Sequence, residues 1–205
     1  MAQTFDRADD RLMASVSTSQ RLEDGVTDMT TLMGELRIDH RNMAILLGLL
    51  SQEVKTARLG GDPDFELVTD IMHYLTYYAD AVHHRREDLV YEKLRASGNG
   101  DGLVFVESDH RELAEDGKQL RDECEAVLSG AALARGKFVV DAIRYIERLE
   151  EHMRWEETDL FSRADTLGNQ RVDLGDLTVS DPVFGLEASP RYSSLLKRVR
   201  ESAEH

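Results

Sequence analysis

Seven histidines stand in this chain, and helical geometry sorts them. An α-helix turns about 100° per residue, so positions three, four and seven apart share a face. On that rule His40 falls in one stripe with Met33, Leu36, Met43, Leu47 and Leu50. His83 and Glu87, four apart, both interrupt the stripe Val68, Met72, Leu75, Ala79, Val90 and Leu94. His110 lies in line with Leu103, Val106, Leu113, Leu120, Cys124 and Val127, and His152 and Glu156 extend the row Phe138, Ala142, Tyr145, Leu149. Each of four segments thus turns one imidazole towards an apolar interior, and two of them add a carboxylate one turn later. A carboxylate buried without a partner costs several kcal/mol or more. Two carboxylates beside four imidazoles therefore make a cage for a pair of cations. Nitrogen and carboxylate donors suit iron, manganese or zinc, and six protein ligands suit two ions better than one. In the expected geometry each glutamate bridges the two ions and each ion takes two histidines. Open positions then remain for an oxo or hydroxo bridge and for a small molecule.

Other chemistry-bearing residues read as ordinary. His84 points about 100° away from His83, into the more polar row of His73, Tyr77, Asp80 and Asp88. That makes His83 the inward member of the pair, with His84 its one competitor. The single cysteine, Cys124, stands about 21 Å along the helix from His110 at roughly 1.5 Å per residue, so it is a core residue and no ligand. Met33, Met43 and Met72 are core fillers. Glu107, three before His110, is read as solvated or as supporting the site from outside, because Leu149 stands where a matching carboxylate would precede His152. Tyr145 lies two turns before His152 and Tyr91 two turns beyond His83; packing is the preferred reading of both, with lining the pocket or hydrogen-bonding near the centre as the alternative. His205 is terminal and is read as disordered.

The elements that must carry these stripes are helices. Only three prolines occur, at 63, 182 and 190, and the stretch between the first two is rich in Leu, Glu, Arg and Ala. Glycine breaks at Gly60-Gly61, Gly98-Asn99-Gly100 and Gly130 divide it into helices at about 29–58, 63–97, 102–129 and 131–165. Asp62-Pro63 reads as the cap and first residue of the second helix. The inner histidines then meet at one level in an all-α, up-down-up-down four-helix bundle with short loops. The expected organisation is an N-terminal extension over 1–28, as a loose segment or short extra helix, the bundle over 29–167, and a C-terminal tail over 168–205 packed on the bundle. The tail contains Asp181-Pro182-Val183-Phe184-Gly185 and an amphipathic piece from Tyr192 to Val199.

Bulk properties agree with one globular domain: 205 residues, 41% apolar. A formal charge of −15 argues against nucleic acid and anionic membrane surfaces as partners. The apolar run Ala44–Leu50 is far short of the roughly 20 residues that span a membrane, and the first residues lack the apolar stretch of a signal peptide. The expected location is cytoplasmic, as a monomer or small homo-oligomer.

The motifs Asp39-His40-Arg41-Asn42, His83-His84-Arg85-Arg86-Glu87, Asp109-His110-Arg111-Glu112 and His152-Met153-Arg154-Trp155-Glu156 together resemble the hemerythrin-like, or HHE cation-binding, family over about residues 30–165. That resemblance implies a non-haem di-iron centre with His40, His83, His110 and His152 as histidine ligands and Glu87 and Glu156 as bridging carboxylates. The oxygen-carrying members have a second histidine four after the third-helix one, where this chain has Ala114, and an aspartate where it has Glu156. The pattern is more similar to the bacterial branch linked to nitric oxide and oxidative stress, although no cysteine precedes Cys124 as in the cluster-repair members. The implied ligands are dioxygen, nitric oxide or hydrogen peroxide, in stress response or iron homeostasis. Turnover is left open. An iron- or oxygen-responsive sensor is the alternative, and ferritin-like storage, which needs a large shell, is the third.

Overall fold

In a computed structural model the chain is described over residues 26–186 and 188–203. Residues 1–25, where most of the extension falls, and His205 lie outside the described residues, as does the side chain of Glu107. Helix α1 spans Met29–Arg58. It starts where Asp28 accepts a hydrogen bond from the Thr31 amide at 2.9 Å, satisfying one of the amides that a first turn leaves unpaired. The second rod consists of α2 (Phe65–Tyr78), a wide π-helical turn (Ala79–His83) and α3 (His84–Ala96). The third is α4 (Leu103–Leu128). The fourth consists of α5 (Arg135–Trp155), a second π-helical turn (Glu156–Leu160) and α6 (Phe161–Asp165).

Several boundaries differ from the expectation. The second rod is capped by Asp64, which accepts from the Leu67 amide at 3.0 Å while its own amide is held by Glu53 at 2.8 Å. Asp62-Pro63 stands outside the helix. The fourth rod begins at Arg135, four residues late, because the third closes with Ala131 N–H donating back to the Ala126 carbonyl around Gly130, whose φ of +92° suits glycine. The all-α expectation also needs an amendment. Strands β1 (Val26–Asp28) and β2 (Arg171–Asp173) pair antiparallel, Thr27 opposite Val172. Three residues each are too few to show the period of a strand in the sequence.

α1 packs on α5, α2 on α4, and α4 on α5, so the four rods enclose one interior, compatible with a four-helix bundle. That interior holds two apolar clusters. The larger contains Met43, Leu47, Met72, Leu75, Leu120 and Phe138; the smaller contains Leu32, Leu36, Val90, Leu103, Val106 and Phe161. Along α1 and α4 the smaller cluster comes first, and along the second and fourth rods it comes last. The break between them falls on every rod at the histidine level.

The tail is stitched to the rods. Asp181 accepts from the Tyr74 hydroxyl at 2.7 Å and from Asn42 at 3.1 Å. Buried Arg86 donates to the Leu177 carbonyl at 2.8 Å and the Val179 carbonyl at 2.9 Å. Val183, Tyr192 and Leu195, the last on α7 (Ser193–Ala203), complete the larger cluster. No helix among the described residues is long and apolar enough to cross a membrane.

Candidate metal centre

The polar layer between the two clusters is made of the predicted residues. Glu87 and Glu156 are fully buried, each at 0% exposure, and stand among the four imidazoles. His40 Nε2 lies 3.5 Å from Glu87 and 3.4 Å from Glu156. His83 Nε2 lies 3.1 Å from Glu87, His152 Nε2 3.3 Å from Glu156, and His110 Nε2 3.5 Å from each carboxylate. All six side chains meet. Yet both oxygens of Glu87, Oε2 of Glu156 and the Nε2 atoms of His40, His110 and His152 make no hydrogen bond in the protein. Buried polar atoms normally find a partner. Unpartnered nitrogen and carboxylate donors aimed at one another fit divalent or trivalent cations.

Behind these donors stand carboxylates that fix the rings. Asp39 faces Nδ1 of His83 at 3.1 Å, Asp109 faces Nδ1 of His152 at 3.0 Å, and Glu157 faces Nδ1 of His40 at 3.2 Å. A carboxylate on Nδ1 leaves Nε2 as the inward, ligating nitrogen and raises its basicity. Asp109 is itself gripped by Arg148 at 2.7 and 2.8 Å, and the contacts with His152 and Arg148 lower its pKa to about 2 despite partial burial.

The electrostatics follow from this crowding. Burial opposes protonation of His40 and His83, but Glu156 and Glu87 outweigh it at His40, and Glu87 with Asp39 at His83. Their pKa values rise from 6.5 to about 9 and about 10. His110 is raised in the same way, burial being overcome by Glu156 and Glu87. Burial would raise both glutamates, but the surrounding imidazoles win and hold Glu87 well below its ordinary value and Glu156 at about 2.

Two expectations are corrected here. Tyr91 is no mere packing residue: its hydroxyl donates to Glu156 Oε1 at 2.5 Å. Burial and the two nearby carboxylates push its pKa well up, so it keeps the proton it donates. His84 does not face a polar exterior. It is 7% exposed and stacks on His110 with ring centroids 4.0 Å apart, and burial and His110 lower its pKa to about 4. The regular 100° turn misplaced it, because the π-helical turn that ends at His83 is wider than an α-turn. A signal did exist. The spacing Leu75, Ala79, His83, Glu87 runs by fours, and each step of four overshoots a full turn by about 40° in an α-helix; a wide turn absorbs that drift. Tyr145 packs in the larger cluster, as does Cys124, whose thiol burial pushes up to about 12.

Two openings lead towards the layer. A cavity of about 470 Å³ is lined by His84, His110, Arg111 and Ala114. A groove of about 960 Å³ runs between α4 and α5 past Phe105, Trp155 and His152.

A family model described as the hemerythrin HHE cation binding domain matches residues 31–164, a span that contains all six donors. No curated protein and no solved structure matches the chain.

Proposed function

The chain belongs to the hemerythrin HHE cation-binding domain family, and from that premise we propose that it is a non-haem di-iron protein that binds or reacts with dioxygen, nitric oxide or hydrogen peroxide in stress response or iron homeostasis. The observation that carries the proposal is the layer of His40, His83, Glu87, His110, His152 and Glu156, in which every residue but His83 turns at least one buried donor atom without a hydrogen bond towards the others. The order in which the rods meet the two clusters supports an up-down-up-down bundle, the arrangement that sets four histidines at one height with short connections. Ala114 and Glu156 favour the bacterial branch of the family.

Iron held in this layer supplies redox change and open coordination positions for a small ligand. The protein supplies the rest. Asp39, Asp109 and Glu157 hold three imidazoles in the ligating tautomer. Tyr91 keeps one oxygen of Glu156 in place. The apolar clusters close the layer from above and below, and the openings beside His110 and His152 lead towards it from the side.

The test starts from protein purified without added metal and analysed by plasma mass spectrometry. The expected ratio is near two irons per chain, and addition of nitric oxide or hydrogen peroxide is expected to change the optical spectrum. Protein that takes up no iron overturns the metal assignment. A di-iron protein whose spectrum ignores dioxygen, nitric oxide and peroxide alike overturns the ligand class.

A further inference from the structure

We propose that the tail segment 171–183 supports the metal centre from outside the bundle, and that Arg86 is the positioning residue through which it acts on His83. The inference rests on the two-cation reading above and adds what sets affinity on the His83 side. The segment lies beyond the residues that the family model matches, so membership of the family does not account for it.

The chain of contacts is short. Asp39 Oδ2 faces Nδ1 of His83 at 3.1 Å and so orients the ring. Asp39 is buried, and a buried carboxylate needs donors and charges around it. The Tyr78 hydroxyl donates to its other oxygen at 3.4 Å, and Arg86 Nη1 stands 3.8 Å from Oδ2. Arg86, three residues after His83, shares its helix face, so one rod presents both the ring and the guanidinium to Asp39. Arg86 is itself buried, and a guanidinium brings several N–H donors that must all find acceptors. The tail supplies them. Nε and Nη2 donate to the Leu177 carbonyl at 3.1 and 2.8 Å, and Nη2 also donates to the Val179 carbonyl at 2.9 Å. The tail backbone fixes the guanidinium, and the guanidinium backs Asp39.

The tail has anchors of its own. Leu174 and Leu177 sit in the smaller cluster and Val183 in the larger, so the segment crosses the height of the polar layer. Asp181 pins it there: Oδ2 accepts from Tyr74 and Asn42, and Oδ1 accepts from the Val183 and Phe184 amides, both at 2.8 Å. Without the tail, Arg86 would either keep a buried charge with its donors unpaired or swing out to water. Asp39 loses its backing in both cases. Cation binding at His83 and docking of the tail therefore favour each other, and linkage makes that effect reciprocal.

The test compares the wild-type protein with three variants. Arg86→Met keeps most of the stem and removes the donors. Asp181→Asn keeps an oxygen for the turn amides and loses the acceptor of Tyr74 and Asn42. Leu120→Ala, on α4, lowers stability by emptying part of the larger cluster and stands outside this chain of contacts. Ferrous iron affinity is measured anaerobically against a competing chelator, and hydrogen exchange of residues 171–183 is followed with and without iron. Wild type is expected to bind two ions, and loading to slow exchange in the tail. In Arg86→Met the affinity for one ion falls roughly 10- to 100-fold, as on loss of other orienting partners, and loading no longer slows tail exchange. Asp181→Asn shifts affinity in the same direction, and decides the matter if Arg86→Met does not fold. Leu120→Ala keeps the wild-type affinity. Removing a positive charge by itself favours cation binding, so a fall in Arg86→Met marks positioning. Wild-type affinity in the tail-contact variants, an equal fall in Leu120→Ala, or wild-type tail exchange blind to iron overturns the proposal while the two-ion reading stands. If wild type binds no iron, the reading beneath it fails and this proposal with it.

Discussion

Tyr91 shows how a residue that fills an apolar stripe in the sequence becomes part of the polar layer. Its hydroxyl donates to Glu156, a carboxylate with 0% exposure, and a hydrogen bond to a buried charge is worth about 1.5–3 kcal/mol. Tyr91→Phe keeps the packing and removes the donor. Chelator-treated Tyr91→Phe is therefore expected to lose that amount in urea unfolding, and the iron affinity of the native variant to fall by roughly 10- to 100-fold, as for other orienting partners. Equal stability and equal affinity would make the hydroxyl incidental. The four histidines and two glutamates were readable from their spacing alone because each occupies a stripe otherwise filled by apolar residues. Tyr91 was not, because a tyrosine in such a stripe looks the same whether its hydroxyl reaches a carboxylate or a gap.

The helices hold the layer by close approach at one place and by altered winding at two others. At Gly117 on α4, an added Cβ would stand 2.8 Å from Thr76 Cγ2 and 2.9 Å from Tyr145 Cε2, so three rods meet there with no room to spare. Gly48 on α1 has nothing within 4 Å. Alanine improves helix propensity at either position by about 1 kcal/mol, but overpacking costs about 1–3 kcal/mol. Gly48→Ala is expected to raise the melting temperature by about 2–4 °C and Gly117→Ala to lower it, read by calorimetry on the same preparation. A stabilised Gly117→Ala would mean that the rods part easily. The two π-helical turns each hold a residue of the polar layer, His83 in one and Glu156 in the other. Helix existence was legible from the apolar period. The wide turns left at most a drift in that period, as in the fours from Leu75 to Glu87, since they add one residue to a ladder without changing which residue types face inward.

Across the whole molecule the layer is a store of charge enclosed by apolar clusters, and this makes stability depend on pH. In chelator-treated protein His40 and His83, raised from 6.5 to about 9 and 10, stabilise fully below 6.5, and that contribution is lost as pH rises through the folded values. His84, lowered to about 4, acts the other way. It binds its proton more readily when unfolded, so stability falls as pH drops from 6.5 towards 4. The glutamates, lowered from 4.5, contribute above that value and lose their contribution as pH falls towards 2. The metal-free protein should therefore be most stable near pH 6.5. Cations compete with protons for the same nitrogens, so loading at pH 7 should release protons from His40 and His83, and the gain in melting temperature on loading should grow from pH 6 to 9. Thermal scans of chelated and loaded protein across that range check both statements; a gain that shrinks with pH would reverse the sign. Arg86 ties this layer to the tail, standing 3.8 Å from Asp39 while donating to the Leu177 and Val179 carbonyls.

Spacing along the chain determined which six residues leave the apolar faces, because a helix of fixed pitch turns a sequence interval into a direction. It also determined that their burial calls for compensation, because an unpaired inward carboxylate is too costly to keep. Only the tertiary structure decided the ribbon between Val26–Asp28 and Arg171–Asp173, the hydroxyl of Tyr91 on Glu156, and the inward turn of His84. Each of these depends on contacts between rods or on a local change in winding, of which the period of a single helix carries at most a drift.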